Sequence, residues 1–149
     1  MRAFGSSLLL LLLPVAQAAD WDRFRGPNGS GVAEGAQNPP ATLGPQTRVW
    51  RTALPPGHSS PIVSGGLLFL TAVENDKLYT LCLDAATGMT RWKREAPRPR
   101  REALHQLNNP ASATPVSDGR NVYVFFGDYG LLSYTHDGKE RWRLPLGPF

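Results

Sequence analysis

The sequence predicts an all-β fold built from repeated four-stranded antiparallel sheets. The segment from Asp84 to Trp92 is typical of a hairpin turn followed by a strand. A shortened copy of it, from Asp137 to Trp142, returns about fifty residues later, at a period typical of repeat proteins. Each copy ends a unit of short strand-like runs that Gly, Asn and Asp turns separate. Because a large aromatic residue recurs at a fixed place in each unit, we interpret the repeat as a packing unit.

The first unit begins near Pro61 and contains strand-like runs at 67–71 and 78–83. In its last turn the carboxylate of Asp84 is expected to accept hydrogen bonds from nearby backbone N–H groups. Gly88 supplies the residue that can adopt a positive φ. The strand after this turn carries Trp92.

The second unit repeats this order from Pro115, with strand-like runs at 122–126 and 131–135. We pair Asp137 with Asp84 and predict that Asp137 and Gly138 form the tighter two-residue hairpin turn. Trp142 follows in the last strand. Trp50 precedes both units and resembles the last strand of a unit whose beginning is missing.

Both faces of these sheets carry apolar residues, so each sheet needs cover on both sides. Radial stacking, as in a β-propeller, provides that cover. We therefore predict a repeat region at 49–149 with about two blades, at about 60–94 and 113–143, plus an orphan strand. Trp92 and Trp142 would pack between neighbouring sheets. A loop insertion at about 95–112 is the first place to look for a recognition surface, and surface decoration is the alternative.

Residues 1–19 are typical of a secretory signal, with one Arg, an apolar core and small residues before a cleavage site near Ala18 or Ala19. The apolar core is too short to span a bilayer. We expect an exported protein, periplasmic or extracellular, with no stable membrane anchor after cleavage; a retained anchor is the alternative. Residues 20–48 are predicted to form an extended Gly/Pro-rich arm that Trp21 and Phe24 pin.

With 41% hydrophobic and 19% charged residues, the composition is that of an ordinary globular protein. The formal net charge of +4 is modest and locally concentrated. An anion-binding patch is one interpretation of this concentration, and a solvated, proline-stiffened connection between sheets is the one that we favour. An exported chain meets little nucleic acid, so we predict no nucleic-acid partner. The clustered cations are Arg91, Lys93, Arg94, Arg98, Arg100 and Arg101.

No residue pattern indicates a catalytic, cofactor-binding or metal-binding site, and we assign none. Cys82 is the single cysteine, lies in the middle of a predicted strand and is expected to be a small buried hydrophobic residue. His58, His105 and His136 are far apart and lack the spacing of a zinc site. The sequence has no phosphate-binding loop and no dinucleotide fingerprint. We expect no cofactor.

The units resemble the quinoprotein-like, or pyrroloquinoline-quinone (PQQ)-like, β-propeller repeat family. The residues that match its tryptophan-docking pattern are Asp84, Thr87, Gly88 and Trp92 in the first unit, and Asp137, Gly138 and Trp142 in the second. The second unit lacks the Thr. The resemblance implies a propeller of several blades, often seven or eight, of which this chain would be an N-terminal fragment. Assembly of several copies into one ring is the alternative.

Two functions follow from this resemblance. Members similar to the BamB-type outer-membrane assembly scaffolds need only the blades, which implies a non-catalytic binding or assembly scaffold. Its partners would be other proteins or further copies of itself. The alternative is the N-terminal part of a PQQ-dependent alcohol or sugar dehydrogenase, which would bind PQQ with Ca²⁺. The vicinal disulfide of those enzymes needs two cysteines, and this chain has one. The chain also lacks the lipid-bearing Cys of the scaffold. Whether the chain is an enzyme therefore stays open.

Overall fold

The computed structural model describes residues 20–33 and 39–149; the predicted leader and the cleavage site near Ala18 and Ala19 lie outside them. The described chain forms two four-stranded antiparallel sheets, each with its strands in chain order. Its only helical elements are two short 3₁₀ turns, Pro27–Gly29 and Pro45–Thr47. The predicted all-β fold of repeated four-stranded sheets is therefore confirmed.

The strands follow the predicted order of runs and turns. Sheet one consists of β1 (Ile62–Ser64), β2 (Leu67–Glu74), β3 (Lys77–Asp84) and β4 (Thr90–Ala96). Sheet two consists of β5 (Val116–Ser117), β6 (Asn121–Phe126), β7 (Gly130–Thr135) and β8 (Glu140–Pro145). Strand β2 is longer than predicted because the two-residue turn at Asn75 and Asp76, both with positive φ, lets its last residues pair with the start of β3.

The two sheets pack against each other through one apolar core. Side chains alternate between the two faces of a strand, so every second residue of β2 and β3 points toward sheet two. Phe69, Cys82 and Trp92 are cross-strand neighbours on that face of sheet one. They share a buried cluster with the residues of sheet two that face them, namely Val122, Val124, Phe126, Leu132 and Tyr134. A second cluster in sheet one consists of Leu70, Ala72, Leu81 and Leu83.

One of the two predicted aromatic anchors holds the N-terminal arm. Trp21 and Val63 exchange two backbone hydrogen bonds, with N···O distances of 2.8 and 2.9 Å, so the arm extends sheet one beyond β1. The Trp21 ring lies directly over Gly26, where a Cβ would overlap it. Phe24 is 60% exposed, so its predicted role as an anchor is wrong.

The loop between β4 and β5 is held by two of the clustered arginines. Arg98 is largely buried and forms ion pairs with Asp76, at 2.5 Å, and with the buried Asp128, at 2.7 Å. Arg100 donates to the carbonyl of Gly127 at 2.8 Å. The interpretation of this cluster as a solvated connection is therefore wrong at both residues, because their charges fasten the loop to the turns of the two sheets.

Candidate docking site for a neighbouring sheet

Trp92 fixes the position of sheet two on sheet one. Its indole N–H donates to the carbonyl of His136 at 2.8 Å, and its ring packs against Tyr134 with 5.8 Å between ring centroids. The turn that receives the ring has Gly138 beneath the indole, where a Cβ would come within 2.8 Å of the ring carbons. Trp92 is 8% exposed. A tryptophan from one sheet thus docks on the last turn of the next.

Trp50 makes the same contact one unit earlier. Its indole N–H donates to the carbonyl of Ala85 at 3.0 Å, and its ring lies over Gly88, which has φ 72°. Both the carbonyl and the glycine belong to the last turn of sheet one. The orphan strand predicted around Trp50 is not a strand in this structure, since no β-ladder includes residues 48–60. It nevertheless docks its tryptophan as Trp92 does.

A second hydrogen bond accompanies each docked tryptophan. Thr52 Oγ1 donates to the carbonyl of Gly88 and Arg94 Nε donates to the carbonyl of Gly138, both at 2.7 Å. Each donor lies two residues after its tryptophan, so the two docking contacts have the same order along the chain. Sequence analysis missed these donors because Thr and Arg do not resemble each other, although their equal spacing from Trp50 and Trp92 is a detectable signal.

The last turn of sheet one and the last turn of sheet two align at different residues from those that we predicted. Asp84 exchanges backbone hydrogen bonds with Gly88 and Met89, whereas in the second turn Thr135 exchanges them with Gly138 and Lys139. Thr135 is therefore the structural partner of Asp84, and the pairing of Asp84 with Asp137 is wrong. The second turn is also a three-residue loop with glycine in the left-handed region rather than a two-residue Asp-Gly turn.

The carboxylate of Asp84 organises the first turn. Its Oδ1 accepts from the backbone N–H groups of Ala86 and Thr87 and from the Thr87 hydroxyl, at 2.9–3.1 Å. Its Oδ2 accepts from Arg91 at 2.7 Å. The hydrogen bond from Arg91, followed by that from Thr87, holds the pKa of Asp84 below its usual value. In the second turn, the hydroxyl of Thr135 bonds to Asp137 and lowers the pKa of that carboxyl in the same way.

Trp142 has the position of a docking tryptophan but no turn to dock on among the described residues. It is 39% exposed, and Leu144, two residues later, is 49% exposed. Its ring packs against Tyr123 with 6.0 Å between ring centroids, as the ring of Trp92 packs against Phe69 with 5.9 Å. Trp142 was predicted to pack between sheets, but here it lies on the open face of sheet two. We define the open face by Tyr123, Trp142 and Leu144.

The remaining candidates for reactive or metal-binding side chains are the single cysteine, the histidines and the acidic residues. Cys82 is buried between the sheets, and burial raises the pKa of its thiol to about 12, so a thiolate is disfavoured. Among residues 20–33 and 39–149, no group of His, Cys, Asp and Glu side chains is arranged to hold a metal ion. His58 and His105 are exposed, whereas His136 is half-buried at the contact between the sheets. Over the same ranges, no helix has the length and apolar character needed to cross a membrane.

These features define a protein built from β-propeller blades with tryptophan docking. A family model described as outer membrane protein assembly factor BamB matches residues 45–148. The chain therefore belongs to this family of PQQ-like repeat proteins, and the predicted resemblance is confirmed. No curated protein matches the chain.

Proposed function

We propose that the protein is an exported, non-catalytic scaffold that binds another protein through the open face of sheet two. The carrying observation is that Trp142 and Leu144 are exposed, whereas their equivalents in sheet one, Trp92 and Arg94, contact the last turn of sheet two. Exposed aromatic and aliphatic side chains grouped on one surface are typical of protein-interaction sites. Trp is also enriched among the residues that contribute most to binding.

The chemistry of the open face favours a partner that offers a sheet and a hairpin turn. A carbonyl in such a turn would accept the indole N–H of Trp142, and a glycine would lie under the ring, as at Trp50 and Trp92. Leu144 stands where Thr52 and Arg94 have donor groups, so this contact would rest more on apolar packing than the two others do. The family description names outer-membrane protein assembly, which supports a partner in that process and an exported location.

Site-specific photo-crosslinking tests this proposal. A photoreactive side chain replaces Leu144 on the open face, and a matched variant carries it at the exposed Met89, in the last turn of sheet one. We expect one discrete protein adduct from position 144, absent from position 89, in the fraction that contains exported proteins. No adduct from position 144, the same adducts from both positions, or a chain retained in the cytoplasm would contradict the proposal. Dye reduction that depends on added PQQ and Ca²⁺ would favour the dehydrogenase instead.

A further inference from the structure

The loop between β4 and β5 encloses a small cavity against sheet two. The cavity has a volume of about 220 Å³ and lies between residues 104–113 of the loop and the end of β6 with the turn that follows it. Its wall is mostly apolar, with Leu104, Pro110 and Ala113 from the loop and the Phe125 ring from the sheet. Apolar cavities with a few polar groups are typical of binding sites. The loop insertion, where we predicted that a recognition surface would lie, thus forms one wall of a cavity.

Hydrogen bonds hold this loop in place at both ends. The carboxylate of Asp128 accepts from Arg98 Nε at 2.7 Å and from the backbone N–H of Glu102 at 2.8 Å. At the other end, the carbonyl of Ala111 accepts from the backbone N–H of His58 at 3.0 Å. Both Asp128 and Ala111 are buried. The cavity is therefore preformed, so a ligand would not bear the entropic cost of ordering the loop.

Two asparagine side chains that line the cavity offer hydrogen-bond donors. Asn108 Oδ1 accepts from the backbone N–H of Asn109 at 2.9 Å and from the hydroxyl of Ser112 at 2.6 Å. Asn109 Oδ1 accepts from the backbone N–H of Ala111 at 2.8 Å. Both oxygens are thus used inside the loop, whereas neither carboxamide nitrogen has a protein acceptor among the described residues. Each nitrogen carries two N–H groups that a ligand can use.

The side-chain oxygens around the cavity are already engaged. Those of Asp128 accept from Arg98 and Glu102, and the hydroxyl of Ser112 donates within the loop. A matching ligand therefore brings an acceptor next to an apolar group. A main-chain carbonyl beside an apolar side chain, in a polypeptide, meets this requirement. The hydroxyl groups of a sugar would need acceptors as well as donors, and an acyl chain would leave the N–H groups unused.

A row of apolar side chains connects the cavity with the open face of sheet two. Leu144 of the open face pairs with Leu131 in β7, and Leu131 pairs with Phe125 in β6. Side chains of directly paired residues lie on the same face of a sheet. Phe125 also lies two residues after Tyr123, so the two rings project from the same face of β6. The row from Leu144 to Phe125 thus ends at the cavity, and a partner on the open face can reach it along sheet two.

We propose that the cavity binds one apolar side chain of a polypeptide, while a main-chain carbonyl of that polypeptide accepts from the carboxamide groups of Asn108 and Asn109. This rests on the proposed function, because the polypeptide belongs to the protein that covers the open face. The cavity holds a single large side chain, and the asparagines fix where the carbonyl next to that side chain must lie. The loop insertion therefore selects partners by sequence, which apolar packing on the open face does less well.

Titration with N-acetyl-L-phenylalaninamide, followed by residue-resolved NMR spectroscopy, tests the cavity without the partner. We expect the amide signals of Ser112, Ala113 and Phe125 to shift and to reach saturation in the millimolar range, as for other ligands of this size. N-acetylglycinamide carries the same amide groups without the side chain, and as the matched control it should leave these signals nearly unchanged. No saturable shift, or equal shifts with both compounds, would overturn the proposal.

Two isosteric variants test the role of the carboxamide groups. Asn108→Asp and Asn109→Asp retain the oxygens that hold the loop but replace the N–H donors by an acceptor. Each should weaken the binding of N-acetyl-L-phenylalaninamide by roughly three- to tenfold. Asn28→Asp, at an exposed asparagine of the arm, is the matched control and should bind as the unaltered protein does. Unchanged binding in both cavity variants would overturn the proposal. Because this titration does not involve Leu144, its failure is distinguishable from a failure of crosslinking at position 144.

Discussion

The face of sheet one that carries Trp92 and the face of sheet two that carries Trp142 have the same aromatic arrangement in different surroundings. The Phe69–Trp92 rings meet at 5.9 Å and 47°, and the Tyr123–Trp142 rings at 6.0 Å and 40°. Trp92 is nevertheless 8% exposed and Trp142 39% exposed. The ring geometry is therefore set within each sheet, whereas burial is set by the neighbour. A sheet can present its tryptophan ready to dock before anything docks on it.

The shared geometry has a local cause. In both sheets the pairing shifts by one residue just before the tryptophan, between Cys82 and Leu83 and between Ser133 and Tyr134. Such a bulge twists the last strand and changes the direction of the side chains that follow it. The residue that the bulge leaves unpaired is Arg in both sheets, at 91 and 141. The repeated Arg-Trp pair is thus a feature of the bulge.

The largest difference between the two faces should appear when each tryptophan is truncated. Trp92→Ala removes a buried ring and its hydrogen bond to His136, and should lower the free energy of unfolding by about 3–5 kcal/mol. Trp142→Ala is the matched control and should cost below about 1 kcal/mol, because its ring is partly in water already. Denaturant unfolding followed by circular dichroism measures both. Equal losses would mean that Trp92 does not hold the sheets together.

Two glycine substitutions, with smaller expected losses of stability, distinguish the contact with the tryptophan ring from backbone strain. Gly138 and Gly119 have similar φ values, 83° and 87°, but only Gly138 lies under a ring. Gly119→Ala should cost about 1–2 kcal/mol for the left-handed backbone. Gly138→Ala adds an overlap with Trp92 and should cost about 1–3 kcal/mol more. The same unfolding measurement applies, and similar costs for the two variants would show that the docking contact tolerates a methyl group.

The sequence predicts the repeats well because their signals are local. Turn glycines, alternating apolar residues and the recurring tryptophan lie within a few positions of one another, so the strand order follows from them. The equivalence of Asp84 with Thr135 could not be recognised in this way, because backbone hydrogen bonds rather than side-chain identity define it. Matching the two aspartates by type gave the wrong alignment of the turns.

Contacts between distant residues account for the rest of what sequence analysis missed. The hydrogen bonds that Asp20 accepts from Ser64 and Gly65 join residues 44 and 45 positions apart, and no short-range pattern predicts such contacts. Arg98 belongs to a basic run that looks solvated, yet Asp76 and Asp128 approach it from the turns of two different sheets. A charge cluster therefore predicts a surface patch only when no carboxylates fold against it.

The smallest predicted effect tests whether the donor two residues after each tryptophan belongs to the docking contact. Thr52→Val keeps the shape of the side chain and removes its hydrogen bond to the carbonyl of Gly88, so it should cost about 0.5–1.5 kcal/mol. Thr90→Val, at an exposed position in β4 of sheet one, is the matched control and should be close to neutral. A neutral Thr52→Val would mean that docking depends on the tryptophan alone. The lack of a hydrogen-bond donor at Leu144 would then no longer distinguish the open face from the docking contacts of Trp50 and Trp92.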